Sequence, residues 1–397
     1  MLIGIVGKPS TGKSTFFKAS TLAEIEISSR PFTTIKPNHA IGYVKVQCAD
    51  KNFNVKCNPR FGFCINSNRF VPVDLIDCAG LIEGSHEGKG LGLSFLNDLN
   101  QADALIHIID VSGSTNEKGN IVKPLSYDPA KDVKFLEHEL DMWYYSLIKK
   151  GWDKFSKTLE HDNQNIKRAI AKQLSGLRVT EDIVEIVIKK LKLVHHPKDW
   201  SDKDLKELSR ELRILTKPMI IAANKIDILG SKLNLEKLQK EFPEYKIIPC
   251  SADSELALRE AAKHKLIEYI PGENNFKIVS DKLTNEQKKA LEYIKTNVLD
   301  VYGSTGVQNI LDYAVFDMLK YFPVFPGGVN KLEDKDGNVI PDCFLMPENT
   351  TALDFAFRLH TDIGKNFIKA IDAKTKRVIG KEHKLKSGDV VEIAVKK

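Results

Sequence analysis

A glycine-rich segment near the start of the chain is the feature that most constrains the fold. Residues 7–14 read Gly-Lys-Pro-Ser-Thr-Gly-Lys-Ser and match the pattern G-x-x-x-x-G-K-[ST]. The apolar run at 2–6 comes directly before them and predicts a short buried strand. A strand that enters a helix through such a loop presents backbone N–H groups and the helix N-terminus to phosphates. The sequence therefore predicts an α/β P-loop domain with a mostly parallel sheet.

The residue types of this loop indicate how a nucleoside triphosphate is held. Gly7 and Gly12 permit a tight turn and a close approach of the backbone to the phosphates. Lys13 would supply positive charge at the β and γ phosphates, and the Ser14 hydroxyl would be a ligand of Mg²⁺. The predicted nucleotide contacts of the loop are Gly7, Lys8, Pro9, Ser10, Thr11, Gly12, Lys13, Ser14 and Thr15.

A second motif predicts the other side of the phosphate site. The apolar run at 70–76 reads as a strand and ends in Asp77-Cys-Ala-Gly80. In this D-x-x-G arrangement the Asp77 carboxylate reaches Mg²⁺ through water, and the Gly80 N–H meets the γ phosphate.

Two further motifs predict the base. Apolar runs at 104–110 and 218–223 predict two further strands. The second of these leads directly into Asn224-Lys225-Ile-Asp227. The Asp227 carboxylate can accept hydrogen bonds from guanine N1–H and its exocyclic amine, whereas adenine offers no such pair of donors. Ser251 and Ala252 follow a strand that begins at 247, and their backbone would contact guanine O6. All these motifs end predicted strands, where open α/β sheets bind ligands, so the expected ligands are GTP and GDP with Mg²⁺.

Three stretches resemble the Obg superfamily of translation-factor-like GTPases, in particular the archaeal type of its YchF and DRG branches. Residues 30–37 (Arg-Pro-Phe-Thr-Thr-Ile-Lys-Pro) resemble the first switch, and residues 77–92 resemble the glycine-rich second switch. Residues 354–360 and 386–391 resemble a TGS domain. The resemblance implies that a threonine of the first switch contacts Mg²⁺ and the γ phosphate; Thr33 and Thr34 both remain open, and Thr34 is preferred.

The sequence departs from these relatives at positions that affect activity. YchF proteins prefer ATP, but the intact motif at 224–227 favours GTP here. Ser10 stands where K⁺-activated relatives have asparagine, so activation by K⁺ is not expected. Leu81 follows Gly80 in place of the glutamine that orients water in Ras-like enzymes, so slow intrinsic turnover is expected.

The catalytic residues are predicted on this basis. His86 or Glu83 could polarise the attacking water from the second switch, and the alternative is that both are solvated loop residues. The predicted catalytic group comprises Lys13, Thr34, Gly80 and His86.

The predicted organisation places other segments around a discontinuous GTP-binding domain at 1–111 and 217–275. Apolar side chains at intervals of three and four predict a helical, coiled-coil-like insertion at 112–216; alternatively, these side chains pack on the nucleotide domain. Residues 276–340 are predicted to be helical and to end in a Pro/Gly-rich connector. Residues 341–397 are predicted to form a small β-grasp-like α+β TGS domain, with a helix capped by Thr351 and Asp354.

The charge distribution bears on the partner. Lys and Arg number 59 and Asp and Glu 53, a net charge of +6. Residues 341–397 hold 11 basic and 8 acidic residues, so half of this excess lies in the TGS segment. This balance favours RNA or a ribosome as partner, against the alternative of an ordinary solvated surface. The basic stretch at 189–198 is interpreted as a solvated helix face, with an RNA-facing surface as the alternative. No membrane and no DNA partner is expected, and the six scattered cysteines indicate a reducing cytoplasm.

Two functions remain open from the sequence. The first is a Mg²⁺-dependent GTPase that acts as a translation- or ribosome-associated switch. The second is an RNA- or ribosome-binding adaptor for which the nucleotide is a structural ligand.

Three cysteines between the two switches raise a separate question. Cys48, Cys57 and Cys64 supply three of the four ligands that a zinc site needs, but their spacing matches no common zinc finger. The alternative is that they are ordinary small or half-exposed thiols.

Overall fold

The computed structural model describes residues 1–21, 39–78, 98–153, 155–156, 165–193 and 196–396. Its strands are β1 (Leu2–Val6), β2 (His39–Gln47), β3 (Phe63–Ile65), β4 (Asn68–Asp77), β5 (Ala104–Asp110), β6 (Met219–Asn224), β7 (Ile247–Pro249), β8 (Ile267–Tyr269), β9 (Phe276–Ile278), β10 (Tyr321–Pro326), β11 (Phe344–Pro347), β12 (Phe367–Asp372), β13 (Arg377–Ile379) and β14 (Asp389–Val395). Its helices are α1 (Lys13–Thr21), α2 (Asp50–Phe53), α3 (Ala130–Lys149), α4 (Ile166–Gln173), α5 (Glu181–Leu191), α6 (Asp202–Thr216), α7 (Ser231–Glu241), α8 (Ala252–Lys263), α9 (Asn285–Ile294), α10 (Asp300–Tyr302), α11 (Val307–Asp312), α12 (Ala352–Leu359) and α13 (Thr361–Lys365).

The chain divides into two compact units, which we describe separately. The first comprises residues 1–19 and 75–310, and the second comprises residues 20–74 and 311–397. In the described part of the chain, no helix is both long enough and apolar enough to cross a bilayer.

A mostly parallel sheet forms the centre of the first unit. The carboxyl end of β4 is followed across the sheet by β1, β5, β6 and β7. The pairs β1–β5, β5–β6 and β6–β7 are parallel. Every residue of β5 and of β6 is buried, as expected for parallel strands that are covered on both faces. The predicted α/β P-loop fold is confirmed.

Two helices of the predicted insertion pack against each other and against this sheet. The Tyr144 hydroxyl on α3 lies 2.8 Å from the Thr216 hydroxyl on α6, and Arg213 Nε donates to Asp141 at 2.8 Å. Helix α6 begins with the predicted capping box of Ser201 and Asp204. The apolar side chains of both helices share one core with sheet residues such as Val6, Ile76 and Leu105. Residues 112–216 therefore belong to the same compact unit as the sheet, in line with the alternative that these helices pack on the nucleotide domain.

A five-stranded sheet with one covering helix forms the larger part of the second unit. The strand order is β11-β10-β14-β12-β13, in which β10 and β14 are parallel and the other neighbours are antiparallel. Helix α12 begins with the predicted capping box of Thr351 and Asp354, and its buried Phe355 lies in the core of this sheet. This arrangement confirms the predicted small α+β domain.

The Pro/Gly-rich connector predicted before this domain contains strand β10. Pro323 has no N–H to donate, but its carbonyl accepts a hydrogen bond from the Gly388 N–H at 2.8 Å. The proline therefore fits within the sheet, which the local composition did not indicate.

The remaining strands of the second unit lie between residues 39 and 74. Strands β3 and β4 form a hairpin whose two turn residues, Asn66 and Ser67, both have positive φ, as in a type I′ turn. The rings of Phe63 and Phe70 stack across the hairpin with centroids 4.5 Å apart. This hairpin returns the chain to β2 and places the three cysteines close together.

Candidate nucleotide-binding site

The glycines of the phosphate-binding loop are required by close backbone packing. A Cβ atom on Gly7 would lie 2.5 Å from the carbonyl oxygen of Ile108 on β5. Gly12 has φ +89°, and a Cβ atom there would lie 2.2 Å from Nδ2 of Asn224. Helix α1 begins directly afterwards at Lys13. The loop is thus held tightly against the carboxyl ends of β5 and β6.

Asn224 connects the loop to the segment that follows β7. Its side-chain Nδ2 donates to the Thr11 carbonyl at 2.8 Å, and its Oδ1 accepts from the Ala252 N–H at 3.0 Å. The side chain is buried, so both hydrogen bonds are shielded from water. One amide group therefore fixes the positions of the phosphate loop and of the predicted base-binding segment.

The lysine of the same motif is held by a buried aspartate. Lys225 Nζ lies 2.9 Å from Oδ2 of Asp110, the last residue of β5. Asp110 also accepts hydrogen bonds from the hydroxyls of Ser114 and Thr115 at 2.8 and 2.9 Å. Burial disfavours ionisation of Asp110, but hydrogen bonds from Ser112 and Lys225 outweigh burial and lower its pKa. The carboxylate is therefore a fixed negative charge that orients Lys225.

Asp227 is half-buried and lies close to this network in the chain. Its backbone carbonyl accepts a hydrogen bond from the Tyr293 hydroxyl at 2.8 Å, which fixes the main chain. Burial first, and then the negative charge of Asp227, raise the pKa of Asp253. Within the described residues we find no hydrogen bond to the Asp227 carboxylate, so both of its oxygens are available to a ligand. The backbone N–H groups of Ser251 and Ala252, which the sequence assigns to guanine O6, donate to the Thr305 carbonyl at 2.9 Å and to Asn224 Oδ1 at 3.0 Å.

Lys13 and Asp77 meet at the phosphate end of the site. Lys13 Nζ forms an ion pair with Asp77 Oδ1 and donates to the Cys78 carbonyl at 2.9 Å. The carboxylate thus already attracts a cation, and the exposed Ser14 hydroxyl lies beside Lys13 in the chain. Carboxylate and hydroxyl oxygens are the ligand types that Mg²⁺ takes, so the described residues fit this ion. Thr34, Gly80 and His86, together with Thr33, Leu81 and Glu83, lie outside the described residues.

Comparison with known proteins identifies the family. An uncharacterized GTP-binding protein of Methanocaldococcus jannaschii is 46% identical over 394 residues, which cover 99% of this chain and 98% of that protein. The chain belongs to the Obg-like, YchF-related family of GTP-binding proteins. Residues 2–137 match the family described as 50S ribosome-binding GTPase, residues 222–328 match the Obg-like GTPase YGR210-like G4 motif-containing domain, and residues 333–395 match the TGS domain.

Two further proteins extend the comparison. The crystal structure of a GTP-binding protein from Pyrococcus horikoshii has a TM-score of 0.77 and 39% sequence identity, and covers both chains completely. Obg-like ATPase 1 of Gallus gallus is 27% identical over 386 residues, which cover 93% of this chain and 81% of that protein. The resemblance to Obg, YchF and TGS proteins is confirmed, and guanine-nucleotide binding follows for the GTP-binding domain.

Sequence reasoning missed one interaction in this Obg-like site. The loop includes a second lysine, Lys8, whose ammonium is 2.8 Å from Asp132 and also donates to the Thr115 carbonyl at 3.0 Å. The ammonium lies 3.8 Å from the centre of the Tyr127 ring. Since this side chain is buried and fully paired, only the backbone of Lys8 is left for the predicted nucleotide contact. Asp132 and Tyr127 belong to no motif, whereas Asp110 could have been noticed as a charged residue that ends an apolar strand.

Proposed function

We propose that the protein hydrolyses GTP to GDP and phosphate in the presence of Mg²⁺ and acts in the cytoplasm as a ribosome-associated switch. The residues that the sequence analysis assigns to nucleotide binding, to Mg²⁺ binding and to catalysis are part of this proposal. The second reading, an RNA- or ribosome-binding adaptor with a structural nucleotide, is an outcome of the test below.

The bridging contacts of Asn224 are the observation that carries the proposal. They join the phosphate loop, through Thr11, to the base-binding segment, through Ala252. A ligand that occupies both ends of this site must carry phosphates at one end and a base at the other. The free carboxylate of Asp227 supports guanine, because two adjacent acceptors pair with the two donors of that base.

The residues of the chain divide the reaction between them. Backbone N–H groups of the loop and the N-terminus of α1 bind the phosphates. The Lys13 side chain turns away from Asp77, so that its ammonium group contacts oxygens of the β and γ phosphates. Asp77 and Ser14 would then hold Mg²⁺, which would neutralise the charge that develops on the phosphates. Water attacks in line without a covalent intermediate. The lack of glutamine at Leu81 supports slow turnover without a partner.

A titration of nucleotides tests the base assignment. We expect the full chain to bind GTP and GDP about 10- to 100-fold more tightly than ATP, the discrimination typical of a bidentate contact to a base. Asp227→Asn should lose this preference, because the amide presents a donor to a guanine donor. Asp281→Asn, at an exposed position, serves as the matched control and should retain it. Equal affinity for ATP and GTP in the wild type would remove the assignment and favour the ATP preference of Obg-like ATPase 1.

Phosphate release tests the activity and the partner. We expect slow release from GTP that Lys13→Ala abolishes and that ribosomes accelerate. Ribosome affinity should also be higher with GTP than with GDP. Affinity for ribosomes that is the same with GTP, GDP and no nucleotide would instead support the adaptor.

A further inference from the structure

Three cysteines and one aspartate come together in the second unit, outside the nucleotide-binding motifs. The Sγ atoms of Cys48, Cys57 and Cys64 and a carboxylate oxygen of Asp50 all lie within 4.8 Å of one another. The Sγ atoms of Cys48 and Cys57 are 3.6 Å apart. Cys48, Asp50 and Cys57 are buried, and Cys64 is half-buried.

Local structure determines this convergence. Cys48 directly follows β2, and its N–H donates to the Ser67 carbonyl of the hairpin turn at 2.9 Å. Asp50 is the first residue of the one-turn helix α2. Cys64 lies in β3 directly opposite Arg69 of β4. The hairpin thus folds Cys64 back towards the end of β2, although the sequence spacing of these ligands follows no common motif.

The burial of Asp50 favours a cation in the cluster. Asp50 is only 4% exposed, and within the described residues its Oδ1 has no hydrogen-bond partner. A buried carboxylate oxygen without a partner is costly. A cation held among Asp50 and the three sulfurs would give this oxygen the partner that it lacks.

The distances fit a single tetrahedral ion. Ligand atoms at about 2.3 Å from a tetrahedral zinc are separated by about 3.8 Å, close to the 3.6 Å between the two sulfurs. We propose that Cys48, Asp50, Cys57 and Cys64 bind one structural zinc ion. Four protein ligands leave no open position, so the ion has no catalytic role. The buried guanidinium of Arg69 offsets part of the negative charge of three thiolates and one carboxylate.

The zinc would stabilise a segment that has little regular structure of its own. No helix or strand occurs among the described residues 54–62, between α2 and β3. Backbone N–H groups of Asn58 and Arg60 donate to the carbonyls of Val339 and Pro341, both at 2.9 Å. Cys57 lies within this segment and Cys64 lies just after it in β3, so removal of the ion should loosen the segment.

Metal analysis of the full chain tests the proposal. Protein purified without chelator should contain about one zinc ion per chain, measured by inductively coupled plasma mass spectrometry. Cys57→Ser and Cys64→Ser should each reduce this content at least about tenfold, and Asp50→Ala should weaken retention against a competing chelator. Cys343→Ser is the matched control, because Cys343 is a free cysteine of the same unit outside the cluster, and this variant should keep the zinc.

A second measurement does not depend on variants that fold. Wild-type protein prepared with Co²⁺ should show thiolate-to-cobalt charge-transfer bands and the intense visible bands of a tetrahedral ion. Weak bands of octahedral cobalt in this spectrum would overturn the proposal. So would metal analysis that finds no zinc in the purified protein, or that finds iron instead of zinc. Loss of zinc in Cys343→Ser together with full retention in Asp50→Ala would overturn the ligand set.

Discussion

Two lysines of the phosphate-binding loop show that a sequence motif can predict the role of one residue and not that of its neighbour. Lys13 meets the Mg²⁺-binding candidate Asp77 at the mouth of the site, whereas Lys8 is buried against Asp132 and Tyr127. The motif fixes the position of Lys13, because the helix N-terminus and the phosphates require charge there. The motif does not predict the role of Lys8. That role depends on Asp132, which lies more than a hundred positions later in the chain.

The close approach of Gly12 to Asn224 yields a prediction at the residue scale. In Gly12→Ala the new Cβ would lie 2.2 Å from Asn224 Nδ2, at a backbone φ of +89°. Either the loop or the Asn224 bridge must move, so we expect GTP affinity to fall at least about 100-fold, the equivalent of about 2.7 kcal/mol. Binding of a fluorescent GTP analogue measures this loss.

Gly303→Ala separates this clash from backbone strain. Gly303 has φ +77°, and a Cβ atom added there would meet no atom of the described chain within 4 Å. Alanine at this position therefore introduces only the backbone strain, of about 1 kcal/mol. This variant should bind GTP like the wild type. Equal losses in both variants would mean that Asn224 does not limit the loop.

Prediction of single residues was weakest for a metal ligand that belongs to no sequence motif. Asp50 stands two positions after Cys48, but a carboxylate at the start of a short helix is usually exposed. Only the return of Cys64 through the β3–β4 hairpin shows that Asp50 faces three sulfurs. The positions of Asn224 and Asp227 were easier to predict, because the motif directly follows a long apolar strand.

At the scale of elements, the buried parallel strands were predicted best. Strands β1 and β5 occupy the ranges that the apolar runs indicated, since residues buried on both faces give continuous apolar sequence. Strands β10, β12 and β13 were not predicted individually. They are short or contain proline, and their pairing with distant strands, such as β10 with β14, outweighs local propensity.

The one imidazole within β5 makes this strand sensitive to pH. His107 is fully buried, and burial, with a smaller contribution from the positive charge of Lys8, lowers its pKa from 6.5 to about 3. Below pH 6.5 the unfolded chain therefore binds a proton that the folded chain does not. Stability must fall as the pH falls, by about 2 kcal/mol from this group at pH 5.

Comparison with His107→Leu isolates this contribution. Denaturant unfolding of both proteins at pH 7.5 and pH 5 should show a difference in stability that changes by about 2 kcal/mol in favour of the leucine variant at the lower pH. The absolute stabilities need not agree, because leucine packs differently. The same change with pH in both proteins would show that His107 titrates equally in the folded and unfolded chains.

The division of the whole molecule was the hardest to predict. Residues 20–74 belong to the same compact unit as residues 311–397, although the sequence places them beside the first motif. Such a unit depends on contacts between segments far apart in the chain, which composition and periodicity do not record. The charge of the C-terminal segment, by contrast, is a property of the sequence alone, and it makes the partner testable.

A basic turn of the TGS domain is the part of the molecule most suited to that test. Lys374, Lys376 and Arg377 are exposed between and within β12 and β13, and within the described chain none of them forms an ion pair. If the partner is RNA, replacement of all three by glutamate should weaken ribosome binding at least about tenfold. It should also reduce the salt dependence, by up to about three in the slope of log affinity against log salt. Sedimentation at several KCl concentrations measures both quantities.

A matched charge reversal on the first unit distinguishes a specific surface from net charge. Lys232, Lys237 and Lys240 are exposed on α7, and their replacement by glutamate changes the net charge by the same amount. This variant should keep the affinity and the salt slope of the wild type, because net charge acts weakly beyond a Debye length of about 8 Å at physiological salt. Equal weakening by both triple variants would indicate that the ribosome senses only the overall charge, and no weakening by either would leave the TGS turn as an ordinary solvated surface.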